Sequence, residues 1–212
     1  MKKFFKYLVW LDFLLKFKII KFFKKPYIIL VVGKEKGLIR RKLISLLDAK
    51  WYKVKKKIKP YNTWFWVLLD ALDLPSGYEN IFKWILIVVY SWVKFIRYLF
   101  SYYDILILEG GIDERWEASK FVLALGMDVV FFTGVPNQFI DDNKKFNILL
   151  EEYKRLIWYI NKKSDNTFVK EWGYDDLINL FKDKESFWIF VEDNTLKDLM
   201  KITSRRFILK SA

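Results

Sequence analysis

The stretch YIILVVGKEKGLIRRKLISLL, residues 27–47, decides the fold class of this 212-residue chain. Its first part, Tyr27–Val32, is apolar without interruption, which is typical of a strand buried on both faces. Gly33 follows, and apolar residues then recur at helical spacing from Gly37 to Leu47. A buried strand, a glycine turn and a basic helix, in this order, are the layout of a loop that grips phosphate groups. This layout predicts an α/β domain, in which the turn is either a phosphate-binding loop or a plain connection between strand and helix.

Strands and helices alternate along the rest of residues 26–212. Because parallel strands need covering crossovers, this alternation predicts a three-layer α/β domain, with a mostly parallel sheet and helices on both faces. The expected strands are WYKVKKKIK (51–59), YDILILE (103–109), MDVVFFTGVP (127–136), FWIFVEDN (187–194) and RRFILK (205–210). The expected helices are a short one within 60–77, a long one within 79–103, DERWEASKFVLAL (113–125) capped by Asp113, NKKFNILLEEYKRLIWYINKK (143–163), a short one within 164–186 and TLKDLMKIT (195–203).

The composition limits the chemistry that this chain can perform. Lys and Arg number 38 against 25 Asp and Glu, so a net charge of +13 favours anionic partners such as nucleotides, acidic lipid surfaces or nucleic acid. The absence of cysteine excludes disulfides and thiolate metal sites, and the absence of histidine removes the commonest general base and metal ligand. Any catalysis must therefore use carboxylates and lysines.

Two segments have apolar surfaces that suit either a membrane surface or the protein core. Residues 1–25 predict a basic amphipathic helix that precedes the α/β domain; it has no cleavage site of a signal peptide. Residues 79–103 predict a second apolar helix, in which the uncharged run Trp84–Val93 is too short to cross a bilayer. Each helix is expected either to pack on the core or to lie in an acidic membrane interface. The apolar stripe of the first helix comprises Phe4, Leu8, Leu11, Leu15, Ile19 and Phe22.

The ends of the predicted strands resemble a known family. Five segments of the chain occur in the same order as five motifs in the central domain of Mur ligases. They are GKEKGLI (33–39), PYNTWFWVLLDAL (60–72), LEGGID (108–113), TGVPNQFID (133–141) and IFVEDN (189–194). These are ATP-dependent amide ligases of peptidoglycan precursor synthesis, and the chain is most similar to the branch that adds D-alanyl-D-alanine to a UDP-linked muramoyl tripeptide. The resemblance runs from Pro26 to the C-terminus and implies a P-loop NTPase-like fold. It covers neither the N-terminal nor the C-terminal domain of such a ligase.

The resemblance also assigns roles to individual positions. Glu109 falls on the glutamate that binds magnesium, and Asn62 and Thr63 fall near the muramoyl substrate. The nucleotide side would comprise Gly33, Lys34, Lys36, Gly37 and Asp193. Taken without the family, the same residues are a strand-to-helix turn, a capping or solvated carboxylate and a helix-start loop.

Several of the working groups of the family are absent from their expected positions. The loop lysine falls on Gly37, and the two hydroxyl residues fall on Leu38 and Ile39, which cannot bind magnesium. The metal-binding histidine falls on Gln138 or Phe139, and the bridging lysine of the family falls on Tyr153. Losing one well-placed electrostatic group commonly costs about a hundred- to a thousandfold in rate. The sequence therefore favours a noncatalytic relative.

Three functions follow from these observations. The first is a cytoplasmic, noncatalytic Mur-ligase-like protein, peripheral at the inner membrane face, that binds an acidic lipid surface, a cell-wall precursor or a true Mur ligase and needs no cofactor. The second is an active amide ligase using ATP and Mg²⁺, with Lys36 replacing the lost lysine. The third is a nucleic-acid-binding protein, suggested by the charge and the aromatic content of 20%, although most aromatics have core spacing.

Overall fold

The chain is described by a computed structural model. Its described residues are 3–33, 36–49, 51–56, 63–76, 80–112, 114–133, 143–163 and 187–190. They form six helices and four strands, in the order α1 (Lys3–Lys24), β1 (Tyr27–Gly33), α2 (Lys36–Asp48), α3 (Trp66–Ala71), α4 (Ile81–Phe100), β2 (Ile105–Gly110), α5 (Glu117–Leu125), β3 (Val129–Thr133), α6 (Asn143–Lys163) and β4 (Phe187–Phe190).

The strand β1 lies inside a four-stranded sheet of order β2-β1-β3-β4. It pairs in parallel with β2 and with β3, whereas β4 runs antiparallel to β3. The predicted α/β class is confirmed, with three parallel strands and one antiparallel strand at the edge. Such an antiparallel edge strand is common in otherwise parallel sheets.

Side chains of β1 alternate between two hydrophobic cores, as the period of a strand requires. Ile29 and Val31 face a core that α2 covers with Ile39, Leu43, Ile44 and Leu47. Leu30 and Val32 face a larger core, to which α1, α3, α4, α5 and α6 all contribute. The protein therefore has the three predicted layers, with helices distributed unequally over the two faces of the sheet.

The helix α1 packs on the larger core with a different face from the stripe predicted for it. Its buried apolar residues are Val9, Trp10, Phe13, Phe17 and Ile20. In contrast, Leu8, Leu11, Leu15 and Phe22 of the predicted stripe are exposed, and the side chain of Phe4 lies outside the described residues. The helix therefore packs on the core, one of the two expected alternatives, but through another face than the predicted stripe, of whose described side chains only Ile19 adjoins the core. Since α1 is apolar around most of its circumference, the period alone did not distinguish the two faces.

Other boundaries differ from the sequence prediction. Within residues 51–56, only Val54 pairs with the sheet, through one parallel bridge to Ile105. The helix expected from Asp113 begins instead at Glu117, after a left-handed Trp116 with φ of 71°. Residues 57–60, Asp113, 164–186 and 191–212 lie outside the described residues, so the expected strand RRFILK is among those not described.

The length and the apolar content of the helices set a limit on membrane insertion. Among the described ranges, none of the helices is both long and apolar enough to cross a bilayer.

Candidate functional site

The carboxyl ends of the three parallel strands meet at one edge of the sheet, here called the carboxyl edge. The ladders place Val32 beside Gly110 and Gly33 beside Thr133. From this edge the chain leaves β1 toward the face covered by α2, whereas α5 and α6, which follow β2 and β3, pack on the other face. In open α/β sheets, ligands usually bind where the loops diverge in this way. Gly33 has φ of 114°, a region that favours glycine.

Four buried charged side chains form a connected group that reaches this edge at Glu109, and we call them the edge charge cluster: Arg40, Lys55, Asp70 and Glu109. Arg40 donates from Nη2 to Asp70 Oδ2 at 2.7 Å, and its Nη1 lies 3.5 Å from Glu109 Oε1. The Lys55 ammonium donates to the other oxygen of Asp70. Two cations therefore face two carboxylates, and their formal charges cancel inside the protein.

Four separate segments bring these side chains together. Arg40 comes from the buried face of α2, Asp70 from α3, and Glu109 from the part of β2 that faces α2. Lys55 follows Val54, which forms a bridge with Ile105, the first residue of β2. Burial lowers the pKa of the Lys55 ammonium, and the Asp70 carboxylate opposes this shift. Because these segments are distant in the sequence, the ion pairs form only when the layers of the fold pack together.

The beginning of α2 lies beside the Glu109 carboxylate. A methyl group added at Gly37 would lie 3.7 Å from Glu109 Oε1, so the helix backbone passes close to this side chain. Lys36 extends over the end of β2 and donates from Nζ to the Gly110 carbonyl at 3.3 Å. The amino end of a helix attracts anions, and here the chain places its own carboxylate beside it.

The beginning of α5 is also satisfied by a carboxylate from within the chain. Glu152 of α6 is buried and accepts hydrogen bonds from the backbone N–H of Trp116 at 2.9 Å and of Ala118 at 2.8 Å. The Arg155 guanidinium lies 3.5 Å from Glu152 and 4.1 Å from the centre of the Trp116 ring. This contact replaces the predicted Asp113 cap, because the helix starts four residues later.

The described part of the chain brings several predicted site residues together. Gly33, Lys36, Gly37 and Glu109 all lie at the carboxyl edge. Thr63 lies before α3, where its backbone carbonyl accepts from Val67 N at 3.0 Å. Lys34, Asn62 and Asp193 lie outside the described residues, as do Gln138 and Phe139.

Tyr153, which falls on the bridging lysine of the Mur ligases, is a core residue. Its ring packs against Phe132 with centroids 4.9 Å apart, and only 1% of the residue is exposed. Lys154, the next residue, is partly exposed on the same helix. A tyrosine in this apolar contact contributes packing and has no access to a metal.

Sequence reasoning missed Arg40, Lys55, Asp70 and Glu152 as buried charges. Asp70 gave a signal, since it is the one acidic residue in the apolar run WVLLDAL (66–72). Arg40 also gave one, because it precedes Ile44 and Leu47 by four and seven residues and so shares their face. Lys55 gave none, since strand alternation would place it opposite the buried Val54.

Asp and Glu are the charged metal-binding side chains available to the described residues, since the chain has neither histidine nor cysteine. In those ranges, there is no group of three or more acidic side chains close enough to hold a metal ion.

The chain was compared with known proteins. No family model matches it, and neither the curated protein sequences nor the solved structures gave a match.

Proposed function

We propose that this chain is a noncatalytic relative of the Mur ligases, which acts by binding at the membrane face in peptidoglycan precursor synthesis. The order of the five motif remnants supports the relationship, together with a parallel sheet whose first strand turn lies beside Glu109. The proposal places it in the cytoplasm, peripheral to the inner membrane. Its partners would be a cell-wall precursor, a true Mur ligase or the acidic lipid surface.

The observation that carries the noncatalytic part is the internal pairing of the edge charge cluster. A magnesium ion at Glu109 would compete with the Arg40 guanidinium, which lies 3.5 Å from that carboxylate. A triphosphate that used Arg40 or Lys55 would have to draw it away from Asp70, which both of them contact. Breaking a buried ion pair costs about 3–5 kcal/mol, because one charge is left buried without compensation. Nucleotide binding here would therefore begin with an energetic penalty.

Calorimetric titration with Mg²⁺ and a nonhydrolysable ATP analogue tests this proposal. We expect no heat of binding for the unaltered chain. A second variant, with Lys36→Gly, Gly37→Lys and Leu38→Thr, restores the lysine and one hydroxyl of the family loop and is expected to gain weak nucleotide binding. Its matched control has Gly37→Met in place of Gly37→Lys, so that only the charge differs.

Either of two results would contradict the proposal. Micromolar nucleotide binding by the unaltered chain would refute the noncatalytic part. Equal behaviour of the restored loop and its methionine control would remove the support for a phosphate-binding ancestry. If the protein binds a cell-wall precursor, we expect it to bind a UDP-linked muramoyl peptide in the absence of ATP.

An active ligase is a second candidate, favoured by the position of Lys36. Its ammonium reaches Gly110 O at 3.3 Å, at the strand end that also carries Glu109. An active ligase predicts ATP turnover that depends on muramoyl tripeptide and is lost in Glu109→Ala. Absence of turnover in the unaltered chain would exclude it.

A further inference from the structure

The helices α1 and α4 run side by side in the same direction on one face of the sheet. Lys16 donates from Nζ to Ser91 Oγ at 2.5 Å, and Lys24 donates to the Phe100 carbonyl at 3.1 Å. Both pairs join residues 75 or 76 positions apart, which requires a parallel arrangement. The inward sides of both helices belong to the same core, so their opposite sides adjoin each other on the surface.

This adjoining surface is apolar and exposed, and we call it the outer face. Six exposed apolar residues of α4 follow one another in steps of four and three, at positions 82, 86, 89, 93, 96 and 100, which places them on one side of the helix. Its most exposed side chains are Phe100 at 81% and Phe82 at 75%, and Phe22 of α1 reaches 74%. The outer face comprises Leu8, Leu11, Leu15, Phe22, Phe82, Leu86, Val89, Trp92, Val93, Ile96 and Phe100.

Exposed apolar area of this extent usually marks an interaction site. The two helices that form it carry nine Lys and Arg residues and one acidic residue, Asp12. Asp12 is already paired with the buried Lys16 at 2.5 Å. The exposed cations Lys18, Lys83 and Arg97 belong to the same two helices as the apolar side chains. The occupant of the outer face must therefore be apolar at its centre and anionic around it.

We infer that the outer face docks on the surface of an anionic membrane, with α1 and α4 lying in the plane of the interface. This inference rests on the proposed function and names the surface and the lipid class. A bilayer accepts apolar side chains about 5–10 Å below its headgroups while anionic headgroups neutralise lysines, which matches both properties. A second copy of the chain would instead bring like charges together. Two adjacent helices also form a broad face, which suits a bilayer plane.

Site-specific fluorescence on the full chain tests this inference. Because the chain contains no cysteine, Val93→Cys can be labelled alone with an environment-sensitive dye. The control is Trp51→Cys, at a position 95% exposed after α2, which covers the opposite face of the sheet. With vesicles of phosphatidylcholine and phosphatidylglycerol, we expect a blue shift and quenching by bilayer-depth quenchers at Val93, and neither at Trp51. Vesicles of phosphatidylcholine alone should give a much weaker response.

Vesicle cosedimentation of a double variant supplies the second measurement. Leu86→Gln with Val93→Gln is expected to reduce partition into anionic vesicles by at least about a hundredfold, since two inserted side chains are lost. Trp51→Gln is the matched control and should leave partition unchanged. Analytical ultracentrifugation of the same proteins reports any self-association through this surface.

The outcomes separate this inference from the proposed function. Vesicle binding without a Val93 response would overturn the assignment of the surface but leave a membrane-face protein. No vesicle binding at all would overturn the membrane proposals, while the nucleotide titration still decides whether the protein is noncatalytic. Self-association that the double variant abolishes, without a lipid response, would identify a second copy as the occupant and also overturn the inference.

Discussion

The carboxyl edge and the outer face reverse the usual distribution of side chains in a globular protein. The edge charge cluster buries two cations and two carboxylates, each of which pairs with at least one opposite charge. The outer face exposes a row of large apolar side chains on two adjacent helices. The charges of the first region are paired within the chain, whereas for the second we propose a partner outside it. We therefore expect a partner to bind at α1 and α4, and not at the motif-bearing loop.

The largest effect is expected from Asp70→Ala, which tests whether the edge is held by its internal pairs. The substitution leaves Arg40 and Lys55 buried without the carboxylate that both contact. We expect the free energy of unfolding to fall by about 3–5 kcal/mol in urea denaturation. Asp48→Ala is the matched control, because its ion pair with Lys56 is exposed and should contribute less than about 1 kcal/mol. A similar small loss for both variants would contradict the account of the edge.

The second prediction concerns Glu152, whose carboxylate accepts hydrogen bonds from the backbone at the start of α5. Glu109 has a related position, since its carboxylate lies beside the start of α2. Glu152→Ala leaves the backbone N–H groups of Trp116 and Ala118 without their acceptor. We expect a loss of about 3 kcal/mol in the free energy of unfolding. Glu151→Ala, one residue earlier and exposed, should change stability by less than about 0.5 kcal/mol. If both variants unfold alike, the carboxylate does not stabilise this helix start.

The third prediction compares two glycines at the edge. A methyl group at Gly110 would lie 2.9 Å from Val32 Cγ1, whereas one at Gly37 would make only an ordinary contact of 3.7 Å. We expect Gly110→Ala to destabilise the protein by about 1–3 kcal/mol through overpacking. Gly37→Ala should be neutral or stabilising by up to about 1 kcal/mol, since alanine favours a helix. Thermal unfolding of both variants measures this, and a destabilising Gly37→Ala would instead indicate that the backbone at this turn is specially required.

The fourth prediction uses the pH dependence of stability to test whether water is excluded from the Tyr102 hydroxyl. Burial raises the pKa of Tyr102 well above its usual value of about 10, and its hydroxyl donates to the Ala71 carbonyl at 2.6 Å. Below pH 10 both the folded and the unfolded chain keep this proton. Above it, only the unfolded chain loses the proton, so stability falls with rising pH by about 1.4 kcal/mol per pH unit.

In the variant Tyr102→Phe, the free energy of unfolding should fall less steeply with rising pH, because this phenol no longer titrates. The lost hydrogen bond lowers the stability of the variant at neutral pH. Urea denaturation between pH 9 and pH 11 measures the slope for both proteins, within about the range where tyrosine titrates. Parallel slopes would show that the Tyr102 phenol titrates normally in the folded chain.

The smallest effect is expected at the outer face without lipid. Leu86→Gln with Val93→Gln changes two side chains that are 68% and 62% exposed. We therefore expect stability to change by no more than about 0.5 kcal/mol at each position. A loss of several kcal/mol in chemical denaturation would mean that these side chains already pack against the chain, and the contrast with the edge would disappear.

The sheet and its helices could largely be predicted from the sequence, because strong local patterns set them. Continuous apolar runs gave β1, β2 and β3, and helical periodicity placed α6 at Asn143–Lys163 without error. Glu109 was also expected at the carboxyl edge, because it is the last residue of the predicted strand 103–109 and its place follows from the strand alone. These features depend on residues close together in the chain.

The edge charge cluster and the outer face could not be predicted in the same way. The cluster joins Arg40 to Asp70 and Glu109 across 30 and 69 positions, and such pairings depend on how the layers pack. For α1 and α4, apolar residues cover most of each helix, so periodicity showed that a face exists without showing which face the core takes. Only the tertiary arrangement decides that Phe13 is buried and Leu15 is exposed.

The contrast between the two regions can be tested in a single footprinting measurement. Hydroxyl-radical labelling followed by mass spectrometry reports side-chain exposure along the full chain, with and without anionic vesicles or Mg²⁺ and an ATP analogue. The account predicts that vesicles protect Phe82, Trp92 and Phe100, and that the nucleotide leaves labelling of residues 27–47 unchanged. Protection of residues 27–47 by the nucleotide, with the three aromatics of α4 still fully labelled beside vesicles, would contradict it.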